Sequence, residues 1–163
     1  TGANPETQHT SFDISNGAYL CETNEVSTPG GIAHAAAVKA NGSLCVAYQD
    51  MDTMSLNYSC QAQATTCETW ITETIEQDIG SVESSLGLGF NSNGQPYIAY
   101  YHPLSGTVRV ATQLDGTWDI VTAANADNKD LGQNLQMAID TDDRVHLTFF
   151  NSTDNSIWYA VGR

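Results

Sequence analysis

Basic residues are scarce in this chain of 163 residues. Five Lys and Arg stand against nineteen Asp and Glu, which gives a formal net charge of −14. Proteins that bind nucleic acid present a basic surface, so this balance argues against nucleic-acid binding and against docking on anionic membranes. The acidic residues are dispersed along the chain, a distribution typical of a solvated surface.

Long apolar runs and catalytic motifs are also missing. No run of eighteen apolar residues occurs, so we expect no transmembrane helix and no membrane insertion. The first residues lack the charged and apolar regions of a signal peptide, which we expect to have been removed or to lie outside this sequence. No GxSxG motif and no phosphate-binding loop appears. The sequence therefore names no reaction, and whether the protein is an enzyme stays open, with a non-enzymatic role favoured.

Four cysteines are present, without the CxxC spacing of zinc sites. An even number of such cysteines indicates disulfides in an oxidising compartment, and hence a secreted, periplasmic or cell-surface protein. Cys60 with Cys67 would close a short loop and leave Cys21 with Cys45. A bond between Cys45 and Cys60 across a hairpin is the alternative, and the sequence does not choose.

An internal repeat of about fifty residues is the main signal. Three segments fit one frame: 34–49, 86–101 and 135–150. Gly42, Gly94 and Asp143 occupy the same turn position, 52 and 49 residues apart. Each copy predicts two apolar strands joined by a tight turn, then a third strand and a fourth that opens with Trp70 or Trp118. Four strands in fifty residues are the signature of a β-propeller blade.

The predicted fold is therefore all-β, with three four-stranded propeller blades in a single unit over residues 1–163. Blade 1 covers about 34–75, blade 2 about 85–123 and blade 3 about 134–163. The third copy reaches Arg163 after its third strand. Phe12-Asp-Ile resembles Trp118-Asp-Ile, so we expect a strand at 11–15 to complete blade 3.

Three blades cannot close a ring, because closed propellers have about four to eight. We expect a symmetric homodimer that forms a six-bladed ring. The rival interpretation is that the chain is a fragment of a larger propeller protein and meets a second propeller segment.

The segments 94–101 (GQPYIAYY) and 107–112 (TVRVAT), followed by Trp118, resemble a bacterial extracellular propeller repeat of the type GxPxIAYYD, then LKYA, then Trp. The resemblance covers residues 34–161 and implies a fold more than a function. Residues 112–118 also resemble a sialidase Asp-box shortened by one residue. Small sugar-binding propeller lectins are similar in architecture alone.

The candidate ligand-binding residues follow strand ends that should lie on one face of the propeller. They are Asp50, Asp52, His102, Asn151, Asp154 and His34. We expect them to recognise a glycan or a protein surface. Paired carboxylates among them suit a glycosidase-like hydrolase as the alternative. The aromatic residues that end the second strands, Tyr101 among them, are expected in the core.

Soft side chains occur in the same loops. His34, Met51, Met54 and His102 could converge on copper(I), which favours thioether and imidazole ligands. No Asp-x-Asp-x-Asp loop with a trailing Glu is present, so the signal for calcium is weak. We therefore expect no cofactor, with copper or calcium as the alternatives.

Overall fold

The computed structural model describes residues 7–13, 18–27, 33–64, 69–80 and 86–162, the first two ranges by their backbone alone. Within these ranges the chain is all-β, as predicted, and contains no helix. No described segment is therefore a helix long and apolar enough to cross a membrane. The strands are β1 Thr7–Asp13, β2 Ala18–Ser27, β3 His34–Val38, β4 Leu44–Asp50, β5 Ser55–Gln61, β6 Trp70–Glu76, β7 Leu86–Phe90, β8 Pro96–His102, β9 Thr107–Leu114, β10 Thr117–Ala124, β11 Leu131–Ile139, β12 Val145–Asn151 and β13 Ser156–Gly162.

Three antiparallel sheets follow one another along the chain. The first has the order β3-β4-β5-β6, the second β7-β8-β9-β10 and the third β11-β12-β13. Within each of these sheets every strand pairs with its neighbour in sequence. The prediction of four strands per repeat is confirmed for the first two sheets.

The turn between the first and second strand of each sheet has one recurring geometry. Gly42, Gly94 and Asp143 all have positive φ angles, of 88°, 76° and 61°. Glycine and aspartate tolerate this region, which most side chains avoid. The three positions aligned in the sequence are therefore equivalent in the structure.

The sheets pack face to face through two apolar cores. The first core lies between the first and second sheets and includes Leu56, Tyr58, Ile98 and Tyr100. The second lies between the second and third sheets and includes residues such as Val108, Leu135, Leu147 and Phe149. The first strands β3, β7 and β11 lie beside one another. Alternate residues of β8 and β9, the central strands of the second sheet, therefore enter opposite cores, which explains why these two strands are apolar on both faces.

The N-terminal strand is not where the sequence placed it. β1 pairs with β2 in a separate two-stranded sheet, with Phe12 opposite Tyr19 and Asp13 opposite Ala18. The expectation that residues 11–15 complete the third blade is wrong for the described part of that segment, 11–13. A strand only four residues away closes a much shorter loop than one at the other end of the chain, so local pairing costs less entropy.

One disulfide joins neighbouring strands of the first sheet. Cys45 of β4 and Cys60 of β5 lie directly opposite each other, with Cα atoms 4.1 Å apart. This is the pairing across a hairpin, and it rules out the alternative of Cys60 with Cys67 and Cys21 with Cys45. Cys67 lies outside the described residues, as does the side chain of Cys21.

Candidate functional site

Asp50 ends β4 and holds the turn that follows it. Its carboxylate oxygen Oδ1 accepts hydrogen bonds from the backbone N–H groups of Asp52 at 2.9 Å and Thr53 at 3.0 Å. This arrangement is an Asx turn, in which a short side chain replaces a backbone acceptor. Asp52 is exposed in the same turn.

Asn151, at the end of β12, forms a similar Asx turn. Its Oδ1 accepts from the N–H groups of Thr153 at 3.0 Å and Asp154 at 3.2 Å, and its Nδ2 donates to Asp154 Oδ2 at 3.0 Å. The Asn151 side chain is fully buried. Two of the residues predicted to bind a ligand therefore contact each other, and both have a turn-forming role.

His102 occupies the equivalent position at the end of β8. It is buried, and its Nδ1 lies 2.8 Å from Ser105 Oγ in the following turn. Burial lowers the pKa of His102, and the nearby positive charge of Arg109 lowers it further, while Glu76 acts in the opposite direction. The imidazole is therefore neutral near pH 7.

This pKa shift predicts a pH-dependent stability. The unfolded His102 binds a proton near its ordinary pKa of 6.5, whereas the folded one resists protonation. The stabilisation is present above pH 6.5 and is lost as the pH falls below that value. We expect His102→Asn to reduce the difference between the unfolding free energies measured in urea at pH 7.5 and pH 5.0. An equal pH difference in both proteins would contradict this assignment.

The remaining predicted residues lie at the start of β3 and in the turn between β4 and β5. His34 begins β3, is exposed and lies opposite Tyr48 in the β3–β4 pairing. Met51 and Met54 lie half-buried in the β4–β5 turn, where Gln49 Nε2 approaches Met54 Sδ at 3.9 Å. Among the described residues, no three His, Cys, Asp or Glu side chains converge in a way that could hold a metal ion. The binding roles assigned to these residues stay predictions.

An open groove of about 540 Å³ lies at this end of the second and third sheets, and we call it the connector groove. It is built by the segment between β10 and β11, residues 125–130, and by the turns after β8 and β12. The backbone N–H of Leu131 donates to the Gly106 carbonyl at 3.1 Å, and that of Ser152 to the Asp130 carbonyl at 3.1 Å. These bonds fix the connector between the two turns.

Asp130 is the most extensively bonded residue of the connector groove. Its Oδ1 accepts a hydrogen bond from the Tyr101 hydroxyl, and its Oδ2 accepts from Ser152 Oγ at 2.8 Å and Gln133 Nε2 at 3.3 Å. Burial, and then the bond to Asp130, raises the pKa of Tyr101 to about 12. The carboxylate and phenol are thus held in one orientation at the groove wall.

A positive charge borders the same groove. The Lys129 ammonium forms an ion pair with Asp154 and lies 5.5 Å from the centre of the Trp158 ring. The hydrogen bond from Lys129 holds the pKa of Asp154 below its usual value. Asp154 therefore remains ionised at any neutral pH, and Lys129 is partly neutralised.

Sequence reasoning predicted residues in the turns that border this groove, but it did not predict Asp130 and Tyr101, which line it. His102, Asn151 and Asp154 belong to the two turns that border it, whereas Asp50, Asp52 and His34 lie outside its lining. Tyr101 was expected in the core, and the structure leaves it half-buried beside Asp130. The one signal in the sequence was the polar run 125–130 (NADNKD) between two apolar strands.

A second polar cluster joins the first and second sheets. Glu76 accepts hydrogen bonds from the Tyr100 hydroxyl and from Arg109, with which it forms an ion pair. Glu73 Oε2 accepts from Gln113 Nε2 at 2.7 Å and from the Trp118 indole N–H at 2.9 Å. Both carboxylates of β6 are therefore engaged by side chains of the next sheet.

Comparison with known proteins gives a match by structure alone. No family model matches the chain, and no curated protein matches it in sequence. A solved structure of the α-L-arabinofuranosidase Arb93A from Fusarium graminearum, in complex with an iminosugar inhibitor, is similar with a TM-score of 0.56 and 11% identity. The match covers 98% of this chain and 50% of that one, so the chain spans about half the length of the enzyme. At this identity the likeness shows the fold alone.

Proposed function

We propose that this chain is a propeller unit of an exported protein and binds a carbohydrate in the connector groove. The observation that carries the proposal is the groove itself, where Asp130 and Tyr101 present a fixed carboxylate and a fixed phenol to an open, polar cavity. Sites that recognise small ligands combine concavity with a few oriented polar groups. The fold shared with a carbohydrate-active enzyme supports the same class of ligand.

The chemistry of the groove favours a neutral sugar. Its lining offers amides from Asn125 and Asn128, hydroxyls from Ser105 and Thr153 and a carboxylate from Asp130. Sugar hydroxyls donate to carboxylates and accept from amides. The chain carries a net charge of −14 and Lys129 is paired with Asp154, so an anionic sugar finds little attraction here.

The test is binding of a neutral oligosaccharide, with arabinofuranose-containing oligosaccharides as the first probe because of the structural neighbour. We expect Asp130→Asn to weaken the affinity, measured by calorimetry, at least about tenfold, since hydrogen bonds to a charged group contribute about 1.5–3 kcal/mol. Asp142→Asn, in the turn at the opposite end of the third sheet, serves as the matched control. Equal affinity in both variants would count against the groove.

A glycosidase is the alternative, and the structural neighbour favours it as much as it favours binding. Glycoside hydrolysis needs one carboxylic acid with a raised pKa. Among the described carboxyl groups, those of Asp140 and Asp154 have lowered pKa values instead. A hydrogen bond with His146 lowers the pKa of Asp140, and a hydrogen bond from Lys129 lowers that of Asp154. Release of nitrophenol from an aryl α-L-arabinofuranoside would establish the hydrolase, and a lack of turnover together with sugar binding supports the binding module.

Export is supported by the Cys45–Cys60 disulfide. Such a bond persists in secreted, periplasmic or surface proteins and is rare in the reducing cytosol. The acidic surface is compatible with that placement but does not require it.

We also propose that the outward face of the third sheet is covered by a second copy of the chain. Ile157 and Tyr159 of β13 are 80% and 60% exposed, whereas their equivalents in the second sheet, Val108 and Val110, are 0% and 8% exposed under the third sheet. Three sheets do not close a propeller and six do. The alternative is a larger propeller protein, whose further sheets would cover the same face.

This proposal predicts a dimer in solution. We expect a mass near twice 17.5 kDa by light scattering, and we expect Ile157→Asp to shift the particle to the monomer because it places a charge in an apolar contact. Leu104→Asp is the control, since Leu104 is 72% exposed in a turn away from this face. A wild-type monomer at 200 µM, as a rough upper concentration, would favour the larger propeller.

A further inference from the structure

The sequence contains three copies of the Asn-x-Ser/Thr pattern that marks acceptors of N-linked glycans in exported proteins. They begin at Asn41, Asn57 and Asn151. The glycan is attached to the side-chain nitrogen Nδ2 of the asparagine. Because the glycan is bulky and hydrated, a folded protein can carry it only where that side chain reaches solvent. The three acceptors therefore differ in whether the fold leaves them exposed.

Asn57 lies inside the first sheet. Every residue of its strand, β5, is buried, and Asn57 itself is 6% exposed. Its Oδ1 accepts a hydrogen bond from Ser55 Oγ at 3.4 Å. The hydroxyl of Ser59, which completes the acceptor pattern, lies 2.9 Å from Thr72 Oγ1 of β6. A glycan on Asn57 would have to pass through the packed face of the sheet, so the folded chain has no room for it.

Asn151 is also enclosed by the fold. It is fully buried at the end of β12. Its Nδ2, the atom that would carry the glycan, donates to Asp154 Oδ2 at 3.0 Å, and its Oδ1 accepts from the backbone N–H of Thr153 at 3.0 Å. Attaching a glycan to Nδ2 would pull Asn151 out of the turn that it holds and separate these bonded groups. The folded chain therefore cannot carry a glycan on Asn151.

Asn41 is exposed in the turn between β3 and β4. Its Oδ1 accepts a hydrogen bond from the backbone N–H of Ser43 at 3.0 Å. This bond uses the oxygen of the amide, so it does not hold the Nδ2 on the other branch. Gly42 closes the turn with a φ angle of 88°, and its N–H donates to the Lys39 carbonyl at 2.8 Å. An acceptor side chain is thus presented to solvent on a well-fixed turn.

We infer that Asn41 is an acceptor of an N-linked glycan in this protein, and that Asn57 and Asn151 are not. The inference rests on the export of the chain, which is part of the proposed function. It does not depend on the connector groove. The turn of Asn41 is equivalent to the turn of Asp143, at the end of the sheets opposite that groove, so a glycan there leaves the groove open.

The transfer consumes an activated sugar. Asn41 Nδ2 forms a bond to the anomeric carbon of a lipid-linked oligosaccharide diphosphate, and the bond from that carbon to the diphosphate oxygen breaks. The lipid diphosphate leaves with the bonding electron pair, and Nδ2 loses one proton to the transferase. This chain contributes the amide and the turn that presents it, and the exporting compartment supplies the transferase and the donor.

The test is expression of the intact chain behind a cleavable secretory leader in cultured insect cells, which attach N-linked glycans during export. A glycosidase that converts each glycosylated asparagine to aspartate, followed by peptide mass spectrometry, identifies the modified residue. We expect one glycan, on Asn41. Asn41→Asp should abolish it, because aspartate lacks the acceptor nitrogen but keeps an oxygen that accepts from the Ser43 N–H.

The equivalent turn of the second sheet supplies two matched variants. Asn93 is exposed there, but the pattern Asn-Gly-Gln is not an acceptor. Gln95→Ser completes the pattern, and we expect this variant to carry a second glycan, on Asn93. Asn93→Gln removes an exposed turn asparagine without changing the first sheet, and it should keep the single glycan on Asn41.

Glycan occupancy is measured in both the secreted protein and the protein retained in the cells. Retention of the wild-type chain would contradict export, and its Asn41 would still be read. Secretion with an unmodified Asn41 would leave export supported and overturn this inference alone. A glycan on Asn57 or Asn151 of the secreted protein would also overturn it, since the fold buries both residues.

Discussion

Replacing Gly132 by alanine is expected to lower the free energy of unfolding by about 4 kcal/mol. Gly132 lies in β11, where its φ angle is 123°, a conformation that side chains rarely adopt. A Cβ atom there would lie 2.7 Å from Cδ2 of Tyr101 and 3.0 Å from Cγ2 of Val108. Backbone strain and overpacking each contribute about 1–3 kcal/mol, and both apply at this position. Urea denaturation measures the loss directly.

Two other glycines separate these contributions. Gly94 has a φ angle of 76°, and a Cβ atom added there would have nothing within 4 Å, so Gly94→Ala isolates the backbone strain. Gly162 has open space and no positive φ angle, so Gly162→Ala should be nearly neutral. The expected order of destabilisation is Gly132→Ala, then Gly94→Ala, then Gly162→Ala. If Gly132→Ala lowered the free energy of unfolding no more than Gly94→Ala does, the predicted clash with Tyr101 would be contradicted.

Much of the fold could be predicted because its determinants are local. A turn residue at a fixed place, such as Gly94 or Asp143, and alternating apolar positions around it specify a hairpin without reference to the rest of the chain. The same reasoning failed at the N-terminus. The likeness of Phe12 to Trp118 predicted a partner strand at the far end of the chain, whereas β1 pairs with the strand next to it.

The candidate site was harder to predict because its contacts join distant residues. Tyr101 and Asp130 are 29 positions apart. Tyr101 belongs to the repeat segment 94–101, which predicted a core residue, and Asp130 belongs to no motif. The strand ends that did attract attention, Asp50 and Asn151, recur in the sequence because each of them holds a turn. Residues that recur in every repeat therefore indicate a role in the fold of the repeat. The groove is formed between two repeats, so the pattern within one repeat does not predict it.

Replacing Glu76 by alanine is expected to destabilise the protein by about 3 kcal/mol, since it separates the first sheet from its polar partners in the second. The carboxylate of Glu76 accepts from both Arg109 and Tyr100, and Tyr100 is fully buried. Burial, and then the hydrogen bond to Glu76, raises the pKa of Tyr100 above its usual range. Removal of one partner from a buried pair costs about 3–5 kcal/mol, and we take the lower end because the Glu76 and Arg109 side chains are 21% and 23% exposed.

The variants Glu76→Gln and Tyr100→Phe separate the contributions of Arg109 and Tyr100 to the stability lost in Glu76→Ala. Glutamine still accepts from the Tyr100 hydroxyl but no longer neutralises Arg109, so Glu76→Gln should recover roughly half of the stability that Glu76→Ala loses. Tyr100→Phe leaves the ion pair intact, and its cost should fall sharply once Glu76 is already alanine, because the two residues then share no bond to break. Additive losses in the double variant would mean that Glu76 acts on Arg109 alone. A coupling of about 1–2 kcal/mol would show that one carboxylate holds the two sheets together through both partners.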